Sequence, residues 1–154
     1  MSVVLARLNE NNVEIPDVTA PAAAYVPYVI SGKQVFISGQ LPFHNGAISQ
    51  TGHLGKNVSL EQGQETAKIC GINLLAHLKN ACGGNLDKVK QVVRLEILVS
   101  ATPDFNDPHI VANGVSELIK LAFGDEKGSH ARVAYGVSSL PLGAAVEVAA
   151  IFEL

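Results

Sequence analysis

The apolar patterning of the chain predicts an α+β fold, a two-layer sandwich in which two helices cover one face of a mixed, mainly antiparallel sheet. Three observations carry that expectation. Runs rich in β-branched residues alternate with two long segments of helical period, in the order β-β-(β)-α-β-α-β-β. Turn signals such as Ser31-Gly32 separate neighbouring β-rich runs. Val133, Tyr135 and Val137 then place apolar side chains on the sheet face away from the helices, so that face calls for cover by neighbouring subunits.

The elements follow in order. Val4, Leu5 and Leu8 form the apolar stripe of a short helix stopped by Asn11-Asn12. Ile15-Pro16 turns the chain into a Pro/Ala-rich extended arm, Asp17 to Ala24. Strands are expected over Ala24 to Ile30 and Gln34 to Gly39, with Pro27 marking an edge or a bulge. Leu41 to Val58 is mostly loop, with a brief strand at Ala47-Ile48-Ser49. Ser59 and Gln62 fit a capping box opening a helix whose inner face is Ala67, Cys70, Leu74, Leu78 and Ala81; Gly83-Gly84 ends it. Val89 to Ala101 is a strand with Val93, Leu95, Ile97 and Val99 on one face and Arg94 and Glu96 on the other. Asp107-Pro108 starts the second helix, which buries Val111, Val115, Leu118, Ile119 and Ala122 before Gly124 closes it. His130 to Ile151 reads as two apolar strands joined by a turn.

Length and charge bound the function. The 154 residues make one domain, with an additional N-terminal helix at about 2–12. Apolar residues make up 47% and charged ones 16%, a balance that favours a homo-oligomer. A net charge of -3 leaves no basic footprint for a nucleic-acid backbone, and the eleven Lys and Arg are scattered. Pro21 and Pro27 break the early apolar segment, so no membrane span is expected, and the N-terminus lacks a signal-peptide layout. Cys70 and Cys82 share one helix, out of disulfide reach, which suits a reducing cytoplasmic setting. The five histidines lack paired spacing, and no metal or other cofactor is implied.

Arg132 is one of three arginines and has no acidic neighbour in sequence. A guanidinium among apolar residues is costly unless an anion meets it, so Arg132 is expected to bind a small carboxylate. The alternative is an ion pair with Glu147 or with another subunit. His130 lies on the same strand face and could carry a proton near neutral pH, or simply sit at the rim. His44, His53, His77 and His109 read as ordinary loop or surface residues.

Three segments together resemble the YjgF/RidA family of reactive-intermediate (enamine/imine) deaminases, also called L-PSP endoribonucleases. They are Val35-Phe36-Ile37-Ser38-Gly39-Gln40-Leu41-Pro42, Asp104-Phe105 with Val111-Ala112-Asn113, and Arg132 followed by Leu140-Pro141 and Val146-Glu147-Val148. The resemblance runs from about Ala20 to the C-terminus, and the N-terminal helix and longer loop are similar to a longer-chain subgroup. It implies a chorismate-mutase-like fold assembled as a homotrimer, with ligand clefts between subunits. It also implies that Arg132 grips the carboxylate of a 2-imino or 2-keto acid, while Tyr25, Ser38 and Asn113 line or support the pocket. Ala134, where the deaminases have cysteine, offers its backbone carbonyl. Ala24 precedes Tyr25 where the deaminases have proline.

By that resemblance, the glutamate that positions the attacking water falls on Ala149, while Glu147 matches a different, commonly acidic position. Each site residue also has a plainer reading: Tyr25 at an interface, Ser38 permitting a close turn, Asn113 tying backbone between helix and strand. Two functions therefore stand beside each other, a deaminase and a non-enzymatic, ligand-sensing or chaperone-like trimer. An endoribonuclease draws little support from a chain without a basic stripe or a catalytic histidine pair.

Overall fold

Ser2 opens the chain's first helix, α1 (Val3–Glu10), by accepting the Leu5 N–H, in a computed structural model that describes residues 2–18 and 24–154. Val4 and Leu8 are buried against the long C-terminal helix and the single turn Leu86–Lys88. The Asp87 carboxylate accepts the N–H groups of Val3 and Val4 at 2.9 and 3.0 Å. An anion at a helix N-terminus satisfies donors that have no partner inside the helix. The expected Pro/Ala-rich arm falls mostly on residues 19–23, outside the described residues.

The hairpin β1 (Tyr28–Ser31) and β2 (Gln34–Gln40) turns at Gly32, whose φ of 61° suits glycine. Its first strand starts four residues later than expected, after Pro27. A small ribbon follows, β3 (Phe43–His44) and β4 (Ala47–Ile48), turning on Asn45 and Gly46, both at positive φ. The capping box at Ser59 and Gln62 opens α2 (Leu60–Ala81), where Ala67, Cys70, Leu74 and Leu78 are buried.

β5 (Gln91–Ser100) departs from simple alternation. A bulge between Val92 and Arg94 puts Val92, not the expected Val93, with Leu95, Ile97 and Val99 in the core. α3 (Pro108–Gly128) starts at proline as expected, though the Asp107 side chain makes no cap bond. Gly124 (φ 78°, ψ 175°) interrupts it instead of ending it.

β6 (Ala131–Val137) and β7 (Val146–Glu153) do not pair with each other; the sheet order is β1-β2-β7-β5-β6, so β5 lies between them. The β5-α3-β6 segment makes a parallel crossover, which leaves β6 on the sheet edge and sends β7 back to the middle, antiparallel to β2 and β5. Among the described residues one core results: α2 over β2 and β7, α3 over β5 and β6. Beneath the helices lie Val35, Ile37, Val148 and Phe152, with the Phe123 ring tilted against Phe152 at 6.2 Å. The opposite sheet face carries Val29, Phe36, Leu98, Val133, Tyr135 and Ile151, none of them fully covered within the chain.

Candidate functional site

Parallel pairing sets Arg132 opposite Leu95, so its side chain leaves β6 on the helix face and meets α3. One Nη1 donates to Asn113 Oδ1 at 2.8 Å and to Ser116 Oγ at 3.1 Å; Nη2 donates to the His109 carbonyl at 2.9 Å. His109, Asn113 and Ser116 recur at helical spacing, which gathers three acceptors on one face of α3. All three are uncharged. Among the described residues no carboxylate lies within ion-pair distance of Arg132, so the alternative pairing with Glu147 does not form within the chain. A guanidinium has five donor hydrogens, and two are left over here, the number a bidentate carboxylate takes.

His130 joins the same group. Its Nδ1 is 2.6 Å from the Gly128 carbonyl and its Nε2 is 2.9 Å from Ser116 Oγ. Burial lowers its pKa below 6.5; the Gly128 carbonyl works against that, while the charges of Arg132 and Lys120 add to it. Ala134 follows Arg132 on the same face, half-buried opposite Ile97.

The remaining expected residues lie elsewhere. Ser38 Oγ donates to the Val26 carbonyl at 2.7 Å, tying the segment before β1 to β2. Tyr25 precedes that tie and is 59% exposed, beside a cleft of about 650 Å³ that also touches Gly39, Gln40 and His77. Glu147 points from β7 to the open face and packs its carboxylate onto Gly39, where no Cβ could fit beside it. Burial raises the Glu147 pKa above 4.5. Ala149 lies two residues on, opposite Glu96, in a shallow hollow of about 190 Å³. Glu96 itself accepts the Tyr135 hydroxyl at 2.6 Å.

Two candidate half-sites result, separate within the chain. Arg132, Asn113 and His130 gather at one sheet edge with Ala134 beside them; Ser38, Gly39 and Glu147 gather toward the other, with Tyr25 nearby. β2 and β6 are three strand steps apart, or about 14 Å at ~4.8 Å per step. Sequence reading missed Ser116, although its spacing from His109 and Asn113 was a signal. His77 is 8% exposed on α2, not a surface residue, and burial lowers its pKa. His53 bonds the Ser100 hydroxyl at 2.7 Å instead of standing free in a loop. Among the described residues no group of three or more His, Cys, Asp or Glu gathers as a metal site.

The comparisons agree with this architecture. The family model described as "YjgF/chorismate_mutase-like, putative endoribonuclease" matches residues 5–154. Protein TCP17 of Trypanosoma cruzi is 44% identical over 151 residues, 98% of this chain and 94% of that protein. The crystal structure of Atu1372 from Agrobacterium tumefaciens, a protein of unknown function, is 40% identical over 99% of this chain and 92% of that one, with a TM-score of 0.90. A Shewanella oneidensis protein described as a "putative endoribonuclease" is 32% identical, covers 98% of this chain and 99% of its own, and superposes with a TM-score of 0.93. With an α+β sandwich, a family match over nearly the whole chain and relatives of the same length, the chain belongs to the YjgF/chorismate-mutase-like family.

Proposed function

We propose that the protein hydrolyses 2-imino and 2-enamino acids to 2-keto acids and ammonia, in clefts formed between the subunits of a homotrimer. The observation that carries this reading is the Arg132 fork, held by three neutral acceptors with two donors left for a ligand carboxylate. Each such charge-assisted bond contributes ~1.5–3 kcal/mol. The cleft is taken as intersubunit because the second half-site lies across the sheet from the first and on its open face, the face that a neighbouring copy would cover.

In this reading Glu147 is the acid-base group. As the carboxylate, with a raised pKa, it can take a proton from water as the water oxygen adds to the carbon of the protonated imine and the C=N pair goes to nitrogen. The carboxyl then returns that proton to the carbinolamine nitrogen and takes the hydroxyl proton as the C–N bond breaks, releasing ammonia and leaving the keto acid. An enamine first takes a proton at carbon to become that imine. Ser38 and Tyr25 frame the same half-site. Two free, buried cysteines and the lack of any described helix long and apolar enough to cross a membrane are compatible with action in the cytoplasm.

Ala149 favours a second reading, a trimer that binds carboxylates without reacting them. Titration with pyruvate and stopped-flow decay of 2-aminoacrylate separate the two. Arg132→Ala should weaken pyruvate binding at least about tenfold, for the loss of one or two charge-assisted bonds. Glu147→Gln should keep binding and slow decay by about 10²–10⁴. Wild-type binding without acceleration leaves the sensor; RNA cleavage that survives repurification and disappears with Arg132→Ala replaces both.

A further inference from the structure

Arg132 is exposed, yet its guanidinium is fixed before any ligand arrives, and the fixing runs through two residues that touch no substrate in the reading above. The hydrogen-bond directions follow from chemistry alone. A carbonyl only accepts, so at 2.6 Å from the Gly128 oxygen the His130 Nδ1 carries the proton. In the neutral ring Nε2 is then an acceptor, and the Ser116 hydroxyl, 2.9 Å away, donates to it. With its one proton committed, Ser116 Oγ turns a lone pair toward Arg132 Nη1 at 3.1 Å. Every donor in this chain of bonds meets an acceptor.

We infer that Ser116 is a positioning residue for Arg132, and that neutral His130, protonated on Nδ1, fixes the direction of the Ser116 hydroxyl. This rests on the carboxylate role of Arg132. An exposed arginine otherwise samples many rotamers, and ordering it in advance removes that cost from binding. Charged groups facing the imidazole are Arg132 from β6 and Lys120 from α3, and both resist a second cation between them. Protonation of the ring would turn Nε2 into a donor and free the hydroxyl hydrogen, so that two cations would share the lone pairs of Ser116 Oγ. Asn113 and the His109 carbonyl would then carry more of the hold on the guanidinium.

Two measurements on the full chain test this. Nitrogen-15 NMR of histidine-labelled protein at about neutral pH should show His130 as the Nδ1–H tautomer, the minor form of free histidine; an Nε2–H tautomer overturns the inference. Calorimetric titration with pyruvate should show Ser116→Ala binding about tenfold more weakly than wild type, and Ser116→Thr, which keeps the hydroxyl, within about threefold. Loss at Arg132→Ala with none at Ser116→Ala overturns the positioning role and leaves the carboxylate site standing. Equal binding by wild type and Arg132→Ala overturns both.

Discussion

Histidines give the chain its clearest response to acid. His130 and His77 both have pKa values lowered by burial, so below about pH 6.5 the unfolded chain binds protons that the folded chain refuses. Their contribution to stability is complete above the unfolded value and is lost as pH falls from there through the lowered folded values. Glu147 acts with the opposite sign: its pKa is raised, so its contribution is complete below about 4.5 and is lost as pH rises through the folded value. Urea denaturation between about pH 7.5 and 5.5 should therefore show stability falling less steeply in His130→Gln than in wild type. An unchanged slope would mean that His130 keeps its ordinary affinity for protons in the folded chain. The same residue shows why part of the site was hidden in the sequence. Its place beside Arg132 was visible from spacing, but the Ser116 hydroxyl that joins them comes from another element, and only its helical spacing from His109 and Asn113 marks it.

Between elements, the critical contact is the crossing of α2 and α3. A Cβ on Gly114 would land on the backbone of Gln64, and backbone cannot swing aside as a side chain can. Gly71 likewise lies against Val115 and Leu118. Gly114→Ala gains helix propensity yet should destabilise the fold by about 1–3 kcal/mol, measured by denaturant unfolding, because the helices must part. Asn113 and Ser116 flank that position, so the same change should loosen the grip on Arg132. Local rules made most elements legible: the Ser59–Gln62 capping box, proline at the head of α3, the brief strand at Ala47-Ile48. They failed where the partner strand decides. The Val92 bulge answers to β7, and the insertion of β5 between β6 and β7 answers to the parallel pairing that α3 allows β6 to make with β5. Neither leaves a mark in the segment itself.

At the scale of the molecule, the open sheet face and the divided site point the same way. Val29, Phe36 and Tyr135 are 53%, 40% and 38% exposed on one face, a surface suited to burial by other copies. Light scattering should give three times the chain mass. A site divided between chains predicts a sharper check: at low substrate Arg132→Ala and Glu147→Gln should each be strongly impaired, but unfolded and refolded together in equal amounts they should recover about a quarter of wild-type activity. One site in four would receive an intact residue from each side. No recovery would place the whole site within one chain. Finally, Glu147 and Gly39 share a space that only one of them can fill. A methyl group at position 39 meets the far end of a flexible side chain, so the fold can survive it while the carboxylate is pushed away. A side chain at 39 and the present placement of the Glu147 carboxylate are thus mutually exclusive, so Gly39→Ala should leave a folded chain whose carboxylate has been moved from its seat.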